Sequence, residues 1–154
     1  MQKIKYVSAS LENSCVPACL AMILGRTLKQ VIKDLYEHWE DQGKTLGMGY
    51  EVVDEYLAAN GFAVQRVCHE YEPNKLLIDD WPVFPFAPIH IVDVWSSNPA
   101  GMHAIVMDFE GNVYDPSNRK IKSIDEYQRV FAISGIWQVT SPIPEIASLK
   151  NKKK

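Results

Sequence analysis

Residues 13–25 read Asn13-Ser14-Cys15-Val16-Pro17-Ala18-Cys19-Leu20-Ala21-Met22-Ile23-Leu24-Gly25, and the fold turns on their arrangement. Asn13 or Ser14 can cap a helix. Pro17 is tolerated in a first turn, where its missing N–H would have no partner, and Gly25 supplies a stop. Between these signals Val16, Leu20, Ile23 and Leu24 are apolar and Ala18 and Ala21 are small, which leaves almost no polar face. Such a helix is buried on all sides, so this stretch is expected to be the central helix of the domain, with Cys15 at its N-terminus.

Beyond Gly25, Thr27 and Gln30 form a capping box, and Leu28, Val31, Ile32, Leu35, Tyr36 and Trp39 recur at helical spacing. A second helix from Thr27 to Gln42 is expected. A third should run from Gly49 to Asn60, with Val52, Val53, Tyr56 and Leu57 apolar and Gly61 as its stop. A strand from Phe62 to Val67 follows. After Cys68 the helical signals thin to a short turn or helix at 73–79, and the chain becomes proline-rich from Pro82 to Pro88. Strands are then expected at Ile89–Trp95, His103–Met107, Asn112–Asp115 and Ile133–Thr140, the middle two joined by a turn over Asp108–Gly111. Helices first and antiparallel strands second is the α+β pattern. The chain of 154 residues fits one domain, taken as 1–145, followed by a basic tail at 146–154 that is expected to be solvated and frayed.

Composition narrows the function. The net charge is -3 and the basic run is confined to Lys150–Lys154, which gives no electrostatic footprint for nucleic acid. No uninterrupted apolar run approaches the ~18 residues of a membrane span, so no membrane partner is expected. Met1–Ser10 lacks the apolar core of a secretory signal, and a cytoplasmic location is expected. Three cysteines, an odd number, do not suggest a disulfide framework, so each thiol needs its own explanation.

A thiol at a helix N-terminus meets the positive end of the helix dipole and unpaired backbone N–H groups, both of which favour thiolate. Cys15 is placed to be a nucleophile, and the same N–H groups can receive an oxyanion. Taken singly, Cys15 reads as a small buried residue, His103 as a strand end packed on Met102, and Asp115 as a turn former before Pro116. Together they suggest more. His103 opens one strand and Asp115 closes the next, twelve residues on. A four-residue turn at 108–111 would set Met107 across from Asn112 and His103 opposite or diagonal to Asp115, within side-chain reach at about 5–8 Å between Cβ atoms. The carboxylate could then hold one imidazole nitrogen while the other faces the thiol, which is the nucleophile, base and orienter arrangement.

The segments NSCVPACLAMILG, APIHIVDVW, GMHAIVMDFEGNVYDPS and IDEYQRVFAISGIW, spanning Asn13 to Trp137, resemble in order and spacing the papain-like cysteine peptidases that process bacteriocin leaders at double-glycine sites. The resemblance implies a cysteine peptidase with a Cys15–His103–Asp115 triad, Cys19 as a packing residue, a peptide or protein substrate, a thioester intermediate and no cofactor. In that family a Gln about six residues before the Cys completes the oxyanion hole. Here Ala9 stands in its place, with Ser10 and Asn13 as substitute donors. Val16 stands where the family usually has Gly. Val16, Trp95 and Met102 are the expected cleft walls, and the loop 96–101 the expected mobile rim.

Three other readings use the same residues. Cys15 and Cys19 with Cys68-His69 or His103 could ligate zinc, although paired CxxC spacing is absent and no metal is expected. A transglutaminase, deamidase or acyltransferase would use the same acyl chemistry and differ only in its cleft. A binding module could keep the fold after losing the second oxyanion donor.

Overall fold

The computed structural model describes residues 4–69, 89–95, 102–108, 110–117, 121–123 and 133–140. Helix α1 spans Cys15–Leu24, as its start and stop signals require. Ser14 is its N-cap, and Gly25 closes it in the left-handed region at φ 65, donating its N–H to the Ala21 carbonyl. Ser14 does not cap with its side chain. Its hydroxyl instead donates to the Leu11 carbonyl and accepts from the Leu11 N–H, tying off the turn that delivers the chain to Cys15. All residues of α1 from Val16 to Ile23 are buried. Leu20 has no exposed surface, so Leu20→Ala would cost about 2–5 kcal/mol through lost transfer energy and a cavity.

The expected second helix is shorter and broken. Its capping box forms, with Thr27 Oγ1 accepting from the Gln30 N–H and Gln30 Oε1 accepting from the Thr27 N–H, but α2 ends at Asp34 (Leu28–Asp34). The chain then makes a short α3 (Tyr36–His38), a π-helical turn (Trp39–Gly43) and α4 (Lys44–Leu46). The apolar spacing runs through these breaks because Val31, Leu35 and Trp39 all reach the core. Gly43 lets Trp39 settle there, since a Cβ on Gly43 would lie 2.9 Å from the Trp39 ring. α5 follows at Tyr50–Ala59.

Six antiparallel strands form one sheet: β1 (Ala63–His69), β2 (Ile89–Trp95), β3 (Met102–Asp108), β4 (Asn112–Tyr114), β5 (Ile121–Ser123) and β6 (Ile133–Thr140), in the order β1-β6-β2-β3-β4-β5. β5 was not anticipated from the sequence. Ile89 and Ile91 of β2, Ala104 and Val106 of β3, Tyr114 of β4, and Trp137 and Val139 of β6 join the helices in one core. The alternate residues Val92, Val94, Ile105, Val113 and Ile136 are buried as well. Both faces of the central strands are therefore covered, which explains why these strands read as continuous apolar runs.

The β3–β4 hairpin corrects the expected register by one residue: Met107 pairs with Val113 and Val106 with Tyr114. Asp108 is the cause. Its carboxylate accepts from the Glu110 and Asn112 N–H groups, and its carbonyl from Gly111, which sits at φ 84. Three residues separate the strand ends Asp108 and Asn112, with glycine in the left-handed position such loops favour. Among the described residues no single helix is long and apolar enough to cross a membrane. The segment 73–79, the loop 96–101 and the tail 146–154 lie outside the described residues.

Candidate active site

Three elements converge on the Cys15 thiol. α1 brings Cys15 as its first residue, where the His103 side chain and the backbone N–H groups of Ala104 and Val16 stand close enough to favour its thiolate. β3 brings His103, paired across the sheet with Val94 of β2. The pairing of β2 with β6 slips between Asp93 and Val94, so the sheet is irregular just where it carries this residue. The β4 end brings Asp115. Continuing the observed register past Tyr114 sets Asp115 across from Ile105 and diagonal to His103. His103 Nε2 lies 2.7 Å from Asp115 Oδ1, which leaves Nδ1 for the thiol.

The environment separates the proton affinities of these groups. Burial alone would raise the Cys15 pKa, but the His103 hydrogen bond, the Ala104 N–H, the charge on His103 and the Val16 N–H outweigh it and lower it. Burial alone would lower that of His103. Hydrogen bonds with Asp115 and Cys15, and then the charges on both, raise it to about 9. For Asp115 burial opposes ionisation, yet the bond to His103 and its charge, then the Ser117 hydroxyl and N–H, bring its pKa to about 2. Each shift favours the charged form of its group, so a negative thiolate, a positive imidazolium and a negative carboxylate in a row would stabilise one another. Cys19, one helical turn on, is the reverse case. Complete burial, followed by the charges of Cys15, Asp115 and Asp93, keeps it well above the ordinary thiol value and hence protonated.

Two residues of this region were not singled out from sequence. Ser117 donates both its hydroxyl, at 2.7 Å, and its N–H, at 2.9 Å, to Asp115 Oδ1. Its signal was the Asp-x-Ser spacing, because an Asp carboxylate often collects donors two residues on. Tyr6 donates its hydroxyl to the Asp115 carbonyl at 2.8 Å, and the Ala9 N–H donates to the Pro116 carbonyl at 2.8 Å. The N-terminal segment therefore straps the Asp115 turn from behind. That contact spans more than a hundred residues and has no local signature.

The turn leading into Cys15 is built differently. The Asn13 amide donates to the Lys44 carbonyl at 3.0 Å, and Asn13 takes φ 61, a left-handed conformation that Asn tolerates better than most residues. Ser10 is exposed in the same turn. Ala9 offers only a methyl side chain, its N–H being held by Pro116. Val16, expected as a cleft wall, is 6% exposed and belongs to the core cluster, so the group it brings to the site is its N–H. Trp95 and Met102 pair through their backbones, and their side chains lie outside the described residues. No group of three His, Cys, Asp or Glu suited to a metal ion occurs among the described residues, and Cys68 and His69 lie outside that test because their side chains are not described.

No protein-family model matches the chain, and no curated protein sequence matches it. A structural match is found to the peptidase domain of Streptococcus ComA, a bifunctional ABC transporter involved in a quorum-sensing pathway. The TM-score is 0.58 and the identity 14%, over 90% of this chain and 99% of that domain. At this identity the likeness is one of fold: the chain has the α+β, papain-like architecture of that peptidase domain.

Proposed function

We propose that the protein is a cysteine peptidase, cleaving a peptide or isopeptide bond through Cys15, His103 and Asp115. The observation that carries this reading is the His103–Asp115 contact of 2.7 Å beside the thiol at the start of α1, whose pKa His103 lowers. The Cys15 thiolate attacks the carbonyl carbon, and the N–H groups at the helix start receive the developing oxyanion. Protonated His103 gives its proton to the leaving amine, and the thioester forms. Water, deprotonated by the now neutral His103, then releases the acid and restores the thiolate. Asp115 holds the ring with Nδ1 toward sulfur throughout. The likeness to a peptidase domain supports hydrolysis over other outcomes of the same thioester.

The test is incubation with a peptide library bearing small residues at its central positions, read by mass spectrometry. Cleaved peptides that vanish with Cys15→Ala support the proposal. Deamidated or cross-linked products would assign the site to a transferase or deamidase instead. One observation favours a second reading, a binding module of the same fold: Ala9 supplies no side-chain donor to the oxyanion. That module would bind library members without altering them, equally well in wild type and Cys15→Ala.

A further inference from the structure

Asp115 Oδ1 is the most heavily bonded atom of the site. It faces His103 Nε2 at 2.7 Å, the Ser117 hydroxyl at 2.7 Å and the Ser117 N–H at 2.9 Å. The N–H contact is an ordinary turn bond of an Asp two residues upstream, and Pro116 between them fixes the backbone for it. The hydroxyl is not needed by the turn. It lies 3.4 Å from His103 Nε2 as well, so it stands beside the carboxylate–imidazole contact itself. Ser117 is exposed while Asp115 is 5% exposed, which puts this hydroxyl on the solvent side, where a water would otherwise compete for Oδ1.

We propose that Ser117 is a positioning residue, whose hydroxyl holds the Asp115 carboxylate against His103 and thereby keeps the imidazole aimed at Cys15. This rests on the reading of Cys15, His103 and Asp115 as a reactive triad. The backbone of the turn is fixed independently, by Tyr6 on the Asp115 carbonyl and Ala9 on the Pro116 carbonyl. The Ser117 N–H and hydroxyl both hold Oδ1, and the hydroxyl, which also lies beside His103 Nε2, opposes rotation of the carboxylate away from the ring. With the hydroxyl removed Oδ1 is held less firmly against the imidazolium, which loses part of its counter-charge, and the thiolate fraction of Cys15 falls.

The test is the rate of Cys15 alkylation by iodoacetamide from about pH 4 to 9, with the modified residue mapped, in the full-length wild type and in Ser117→Ala, Ser117→Thr and His103→Ala. Ser117→Ala should move the acid limb upward by about half a pH unit, so that alkylation at about pH 5 is about threefold slower. Ser117→Thr, which keeps the hydroxyl, should follow the wild-type curve. A Ser117→Ala curve that superimposes on wild type or moves to lower pH overturns the proposal, as does a Ser117→Thr curve like that of Ser117→Ala. The triad reading fails separately, and takes this inference with it, if wild-type Cys15 titrates as an ordinary thiol and His103→Ala changes nothing.

Discussion

The two halves of the site are built to different standards. Around His103 each group has a neighbour: Cys15 has the His103 side chain and two N–H groups that favour its thiolate, His103 has Asp115, and Asp115 has Ser117 and the Tyr6 strap. In the turn before Cys15, two of the side-chain donors serve the turn itself. Asn13 holds Lys44, Ser14 holds Leu11, and Ala9 has no donor in its side chain. The difference teaches that forming a thiolate and stabilising a tetrahedral oxyanion are separable tasks. On the proposed peptidase reading, side chains serve the first task and backbone N–H groups at the start of α1 serve the second.

The largest effect should come from breaking the well-built half. Cys15→Ala should abolish cleavage of any library peptide, and His103→Ala should slow it by about 10²–10⁴, the usual worth of a positioned acid–base group. Both are checked by product formation, with thermal melting to confirm folding. The next effect sharpens the poorly built half. Ala9→Gln places an amide six residues before the nucleophile and should raise kcat about tenfold, a fraction of the ~10²–10³ that one oxyanion donor is worth. An unchanged kcat would mean that the backbone donors suffice or that the amide is not aimed at the oxyanion.

A smaller effect is on stability. The raised His103 pKa contributes stability in full below its ordinary 6.5, and that contribution is lost as pH rises through about 9. The depressed Asp115 pKa contributes above its ordinary 3.8, and that contribution is lost as pH falls through about 2. The Tm advantage of wild type over His103→Ala should therefore be greatest between the two ordinary values and shrink toward either end, which thermal melts across pH will read. The smallest catalytic effect is expected for Asn13→Ala. The variant should melt earlier by about 1 kcal/mol of lost bonding and left-handed strain, with kcat within about twofold of wild type if Asn13 serves the turn and not the oxyanion.

Local signals made the first half of the fold legible. The caps of α1, the capping box of α2 and the glycine stop after α5 each involve residues within a few positions of one another, and each lies where sequence places it. The Cys15, His103 and Asp115 constellation was legible because a hairpin brings residues twelve apart within side-chain reach. What escaped is tertiary. The break after Asp34 leaves the apolar spacing intact, so periodicity continued through it, and only Gly43 against Trp39 hints at the π-helical turn. The hairpin register depended on where the Asp108 carboxylate bonds, and the strap from Tyr6 and Ala9 depended on packing across the whole chain. β5, three residues long, is too short to carry a pattern.

Whether Cys15 is a thiolate sustained by His103 is decided by rapid alkylation with iodoacetamide at about pH 6, where an ordinary thiol of pKa ~8.5 is nearly inert. Cys15 should be modified far faster than Cys68, and His103→Ala should abolish the difference. Modification of Cys15 no faster than Cys68, with no slowing in His103→Ala, would contradict it.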